Sequence, residues 1–145
     1  MSFVILPARL SDLNALNHLE KVVFKEDAWP VVDLITVLLI PGAIHLKAQA
    51  GKNIIGFICA EENLLERNAS ITTVGVHPAY RRQGIARSLM KSIEERIARK
   101  IIRLCVRVSN YGALDLYEEL GYHKKRTRQR YYADGEDAFE MEKLR

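Results

Sequence analysis

The sequence predicts a mixed α/β fold with the element order β-α-α-β-β-β-α-β-α-β-β. Three observations carry that expectation. Ile44–Ala50 and Ile102–Val108 alternate apolar with polar residues, as half-buried strands do. Ile85, Leu89, Ile93 and Ile97 recur every four residues, which is the buried stripe of a long helix. Gly51-Lys52-Asn53 and Asp134-Gly135 stand between strand-like runs and mark two hairpins.

In chain order, Phe3–Ala8 reads as a first strand. Ser11 is a plausible N-cap, and Leu13, Leu16, Leu19 and Val22/Val23 then recur at helical spacing up to Phe24. Trp29-Pro30 interrupts the chain, with Pro30 suited to the first position of a second helix that ends at Pro41-Gly42. The Ile44–Ala50 strand and Ile54–Ala60 form a hairpin, and Ser70–Val76 is a further strand stopped by His77-Pro78. The long helix follows, then the Ile102–Val108 strand, whose Arg103, Cys105 and Arg107 share one face. Asn110 caps a helix over Tyr111–Leu120 that Gly121 closes. The tail is a hairpin of Tyr122–Tyr132 and Ala138–Leu144. The strand–helix–strand between residues 70 and 108 is expected to be a right-handed parallel unit.

The chain has 145 residues, 48% of them hydrophobic and 28% charged, which fits one domain over 1–145 and excludes a largely disordered chain. A chain of this size buries roughly two thirds of its unfolded surface. Its longest apolar stretch, Val31–Ile40, is interrupted by Asp33 and Thr36, far short of the about 20 residues of a spanning helix. Met1–Leu10 has neither the basic start nor the apolar run of a signal peptide, so a cytoplasmic protein without membrane contact is expected. Cys59 and Cys105 lack zinc-site spacing and are expected as free thiols, with no metal implied. The net charge of +4 suits anionic ligands, nucleotides among them.

The segment from Val74 to Arg87, VGVHPAYRRQGIAR, is the most informative. A strand ends, a basic loop follows, and a helix opens near Gly84. Unpaired N–H groups and the positive dipole end of a helix attract phosphate, and Arg81, Arg82 and Arg87 add charge. The segment therefore reads as a pyrophosphate cradle. It is neither the GxxxxGK[ST] loop of nucleoside triphosphatases nor GxGxxG.

Arg81-Arg82-Gln83-Gly84-Ile85-Ala86 resembles the (R/Q)xxGx(G/A) motif of the GNAT (Gcn5-related) N-acetyltransferases. Arg107-Val108-Ser109-Asn110, Ala113 and Leu116–Tyr122 are similar to a further block of that family. Arg130–Tyr132 and Asp134–Ala138, closing on Met141, resemble the tail of its RimI-like protein N-terminal acetyltransferases. The resemblance is strong over residues 70 to 145. It implies the GNAT fold: a mostly antiparallel mixed sheet with a splayed parallel strand pair and flanking helices.

It also implies acetyl-CoA as co-substrate and direct transfer to an amine, most simply the N-terminal α-amine of a ribosomal or other protein. Val74, Gly75 and Val76 would meet the pantetheine and acetyl carbonyl through their backbone. Arg82, Gln83, Gly84, Ile85, Ala86 and Arg87 would wrap the pyrophosphate, with Arg81 beside them. Asn110 would contact the cofactor, and Tyr117 would protonate the leaving thiolate.

The chain departs from the RimI-like pattern at one position. Cys105 stands where those enzymes place a glutamate base. Glu26, Asp27 and His77 are the other candidates for removing the ammonium proton. Cys105 on an arginine-bearing face is also a candidate nucleophile with a lowered pKa, although direct transfer leaves it lining the site without being essential. On the acceptor side, Tyr131 is expected to face the peptide, at most one of Tyr131 and Tyr132 doing so. Glu26 and Trp29 would wall the pocket for its first residue, with the Val31–Ile40 run divided between core and groove.

Lys124, Lys125, Arg126, Arg128 and Arg130 make a basic strand that reads as a solvated edge; no aromatic pattern for RNA accompanies it. The alternatives left open are a small amine or lysine side chain as acceptor, and a weakly active CoA-binding regulatory module. A monomer and a homodimer are both compatible with the sequence.

Overall fold

The computed structural model describes residues 2–63 and 65–145. Seven strands form a sheet in the order β1-β2-β3-β4-β5-β7-β6. Its pairings are antiparallel wherever a register is defined, except for parallel β4 and β5. The chain divides into two compact units, Met1–Glu61 with Thr73–Ile97, and Glu62–Thr72 with Ala98–Arg145.

In the first unit, β1 (Val4–Pro7) pairs with β2 (Ala43–Ala50), which turns through Gly51 into β3 (Asn53–Asn63). Gly51 has φ +59, a conformation that suits glycine. Residues Ile55 to Ala60 of β3 are buried on both faces. Phe57 and Cys59 join Leu16, Leu19, Leu34 and Val37 in a core under α1 (Leu13–Phe24) and α2 (Val31–Leu39). The opposite face of β3 receives α3 (Ile85–Arg96): a Cβ added at Gly56 would lie 3.1 Å from Leu89 Cδ1 and 3.2 Å from Ile85 Cγ2. The predicted stripe is buried at Ile85, Leu89, Ile93 and Ile97, although α3 itself stops one residue before Ile97.

Two helix starts differ from expectation. Ser11 does not cap α1, because Leu10–Asp12 forms a 3-10 turn and α1 begins at Leu13. Asp12 takes the cap position without a side-chain hydrogen bond to α1; its Oδ2 accepts from Arg9 N–H and Lys47 Nζ, each at 2.8 Å. Pro30 is the cap residue of α2 rather than its first helical residue.

Strand β4 (Asn68–Val76) begins in the second unit, where it is parallel to β5 (Ile101–Arg107) over Asn68↔Ile101, Ala69↔Ile102 and Ser70↔Arg103, and from Thr73 it belongs to the first. Strand β5 pairs along its full length with β7 (Ala138–Leu144), from Ile101↔Leu144 to Arg107↔Ala138. Helix α4 (Tyr111–Glu119) starts at Asn110, whose Oδ1 accepts the Ala113 N–H at 3.2 Å, as expected. Gly121, at φ +97, turns the chain toward β6 (His123–Arg128).

Strand β6 stops at Arg128, four residues short of the expected Tyr132. Arg130 takes φ +51, and its N–H goes to the Asp137 side chain at 2.9 Å instead of a strand partner. All of β6 is exposed, at the sheet edge, as the basic run suggested. Its cations are nevertheless paired with β7: Lys125 with Glu142, and Arg126 and Arg128 with Glu140.

Candidate active site

The first unit holds the phosphate-loop candidate. Strand β4 ends in Val74, Gly75 and Val76. A Cβ on Gly75 would sit 3.0 Å from Val23 Cγ1 and 3.1 Å from Phe24 Cε2, so the end of α1 can press on this strand only across a glycine. His77 N–H continues the strand by donating to Ile55 O at 2.8 Å. The His77 imidazole caps the 3-10 turn Pro78–Tyr80, its Nδ1 accepting the Ala79 N–H at 3.1 Å. Arg81 Nε turns back to donate to Val76 O at 3.2 Å, which ties the loop to the strand end.

The loop then makes two left-handed steps, Arg82 at φ +65 and Gly84 at φ +76, before α3 begins. A Cβ on Gly84 would meet nothing within 4 Å. Glycine is therefore required there by its dihedral angle and not by crowding. Gly84 O accepts the Ser88 N–H at 3.0 Å, and the N–H groups of Ile85, Ala86 and Arg87 precede that bond at the helix start. Arg81 to Gly84 are exposed, while Ile85 is buried and anchors the helix. An exposed helix N-terminus opened by left-handed residues and flanked by arginines fits a diphosphate.

Trp29 and Glu26 also lie in this unit. Glu26 belongs to an exposed 3-10 turn, Lys25–Asp27, and Trp29 packs partly against the α1/α2 core. Trp29 N–H donates to Glu20 Oε1 at 3.3 Å. Leu34 and Val37 of α2 are in the core, and Val31, Val32, Leu39 and Ile40 are exposed.

The second unit gathers Cys105, Tyr117, Tyr131 and Asn110. Tyr117 is 7% exposed and meets Tyr122 edge to face at 6.1 Å. Burial, and secondarily Tyr132, pushes its phenol far above the usual tyrosine range, so it stays protonated. Cys105 is half-buried directly opposite Glu140 of β7.

The lowered thiol pKa considered from sequence is not found. Burial raises it first of all, the Tyr131 hydroxyl hydrogen bond opposes that, Glu140 raises it and Arg128 lowers it, with a net upward result. Neither cysteine is in a disulfide. The Tyr131 hydroxyl thus faces Cys105.

The alternation argument for Tyr131 and Tyr132 does not apply, because both lie in the β6–β7 connection and touch each other edge to face at 5.1 Å. Arg107 anchors that connection. Its guanidinium lies 4.1 Å over the Tyr132 ring and donates to Asp134 and Glu136, at 3.0 and 2.7 Å. Hydrogen bonds hold both carboxyls below their usual range, from the Glu136 backbone to Asp134 and from Ser109 to Glu136 first, then from Arg107 to each.

Two buried carboxyls, Glu20 and Glu140, escaped the sequence reading. Glu20 had a signal, since Leu13, Leu16, Glu20 and Val23 share one helical stripe. Glu140 had none short of the register that sets it opposite Cys105.

Residues 13–122 match the acetyltransferase (GNAT) family. The chain belongs to that family and is an acetyltransferase. Its particular likeness is to enzymes of one kind. It is 31% identical to an N-alpha-acetyltransferase of Saccharolobus solfataricus, over 96% of this chain and 91% of that protein. It is also 31% identical to the N-alpha-acetyltransferase RimI of Mycobacterium tuberculosis, over 80% of this chain and 75% of that one. The crystal structure of the ribosomal-protein-S18-alanine N-acetyltransferase from Escherichia coli superposes with a TM-score of 0.88 at 27% identity, covering 99% of this chain and 94% of that one.

Proposed function

We propose that the protein transfers the acetyl group of acetyl-CoA to the N-terminal α-amine of a protein, a ribosomal protein among the acceptors to test. The observation that carries the donor side is the left-handed pair Arg82 and Gly84 opening α3 directly after β4. The acceptor side rests on the relatives named N-alpha-acetyltransferase that align along nearly the whole chain. We take residues 1–145 as one catalytic domain, since the family match crosses both compact units.

In this reading the N–H groups from Gly84 to Arg87 take the pyrophosphate, with Arg81 and Arg82 supplying charge. The backbone of Val74, Gly75 and Val76 orients the acyl group and offers donors to the oxyanion that forms on attack. The acceptor ammonium loses a proton, and its nitrogen attacks the thioester carbonyl. The carbon–sulfur bond breaks, the thiolate takes the proton that burial has held on Tyr117, and the surplus proton of the new amide nitrogen leaves to water, which reprotonates Tyr117. Asn110, which caps α4, borders the donor, and Tyr131 and Trp29 border the peptide. Glu26 is the exposed carboxylate that draws the ammonium and accepts its proton through water. Cys105 lines the acceptor side without forming a covalent intermediate, and its raised thiol pKa supports that role.

The test is incubation with acetyl-CoA, a pool of N-terminal peptides and several polyamines, with the added acetyl located by tandem mass spectrometry. Acetyl on peptide α-amines is expected. Acetyl confined to polyamines or lysine side chains would overturn the acceptor assignment, and no transfer at all would favour a CoA-binding regulatory module.

A further inference from the structure

Glu20 is 3% exposed among leucines, a setting that disfavours a carboxyl unless something holds it. The other buried carboxyl, Glu140, is held by Arg126 and Arg128. Among the described residues no ion pair reaches Glu20, and its hydrogen-bond partner is the backbone N–H of Trp29. That N–H lies outside any helix, between the Lys25–Asp27 turn and Pro30, where no neighbouring strand serves it. On the same face of α1, three and four residues on, Val23 and Phe24 cover Gly75 of β4. One side of α1 therefore rests on the donor strand while Glu20 grips the segment that carries Glu26 and Trp29.

We propose that Glu20 is a positioning residue for the acceptor peptide: by accepting the Trp29 N–H it fixes the Lys25–Pro30 segment that walls the peptide's first residue. The proposal rests on the peptide-acceptor reading above. Burial pushes the Glu20 carboxyl up to about 7, with the Trp29 N–H pulling the other way, so the grip has two charge states near neutral pH. The charged and titratable groups on the elements packed beside it are His18 and Lys21 on its own helix, Asp12 on the turn before it, Lys25, Glu26 and Asp27 on the turn after it, and Asp33 on α2. On β2, His45 and Lys47 share the face on which Cys59 and Phe57 of β3 meet the helices, and Lys47 is already paired with Asp12.

Trp29 is the one tryptophan of the chain, so its fluorescence reads the segment without any activity. Wild-type emission is expected to titrate with a midpoint near pH 7, and Glu20→Gln, which keeps an acceptor oxygen, is expected to abolish that transition. In steady-state kinetics Glu20→Ala should raise the peptide KM about tenfold, the loss of one buried hydrogen bond, with the acetyl-CoA KM within about twofold. Glu20→Gln should restore the peptide KM at pH 6. The same fluorescence transition in Glu20→Gln would assign it to a histidine and overturn the proposal. So would a Glu20→Ala enzyme whose two KM values move together or not at all. If the wild type acetylates no peptide, the acceptor reading fails, and the fluorescence comparison still decides whether Glu20 holds Trp29.

Discussion

Replacing Glu20 with glutamine preserves the side-chain volume and the oxygen that accepts the Trp29 N–H, and removes the ability to ionise. The consequence for stability follows from linkage. In the folded chain the carboxyl titrates near 7, against 4.5 without the fold. Between those values the folded state holds a proton that the unfolded state has released, so wild-type stability falls as pH rises across that window. Each pH unit is worth about 1.4 kcal/mol, and the full interval about 3 kcal/mol. The glutamine variant lacks this slope. It should match wild type near pH 4.5 and exceed it by about 3 kcal/mol at pH 8. Asp12, Asp134, Glu136, Glu140 and Glu142 all have lowered pKa values and lose stability in acid, but they do so in both proteins and cancel in the difference. Urea unfolding at four pH values, followed by circular dichroism, measures the gap. A difference that stays constant from pH 5 to 8 would refute a buried, titrating Glu20.

Further outcomes follow from the loop before α3 and from Tyr117 and Cys105. Gly84→Ala forces a Cβ into a left-handed step, at about 1–2 kcal/mol, and should weaken acetyl-CoA binding by calorimetry with no steric clash to blame. An unchanged Kd would show that the cradle does not depend on that dihedral angle. Tyr117→Phe should lower kcat by about 100-fold or more with the acetyl-CoA Kd retained, and a kcat within a few-fold of wild type would remove Tyr117 as the acid. Cys105→Ala should keep turnover within about tenfold, and loss of nearly all activity with acetyl-CoA still bound would instead make the thiol essential.

Regular packing was the readable part of this chain. The α3 stripe and the β5 alternation are each decided by burial of one face, and the residues state it directly. The passage from β4 into α3 was readable as a basic loop before a helix, because Gly84 marks the helix start. The misses have local causes. Ser11 fell inside the 3-10 turn Leu10–Asp12 and left the cap position of α1 to Asp12, whose carboxylate is held by Arg9 N–H and by Lys47 of β2. The run from Arg128 to Tyr132 looks extended in sequence, and only Arg107, reaching from β5 to Asp134 and Glu136, shows why it folds into a connection instead. Glu20 was hidden by its type, because a glutamate on an amphipathic helix is ordinarily assigned to water.

Cys105 has a consequence for chemical durability. Electrophiles and peroxides attack thiolates, and a half-buried thiol raised in pKa presents little thiolate in neutral water. Cys59 is wholly buried. The chain therefore carries two cysteines and no easily oxidised sulfur among them. Its acetyl-transfer chemistry should survive oxidant exposures that silence thiolate enzymes, and slow iodoacetamide labelling of the folded protein at pH 7 is the corresponding measurement. Exchanging a carboxylate for a cysteine at this strand position removes a charge without installing a redox liability.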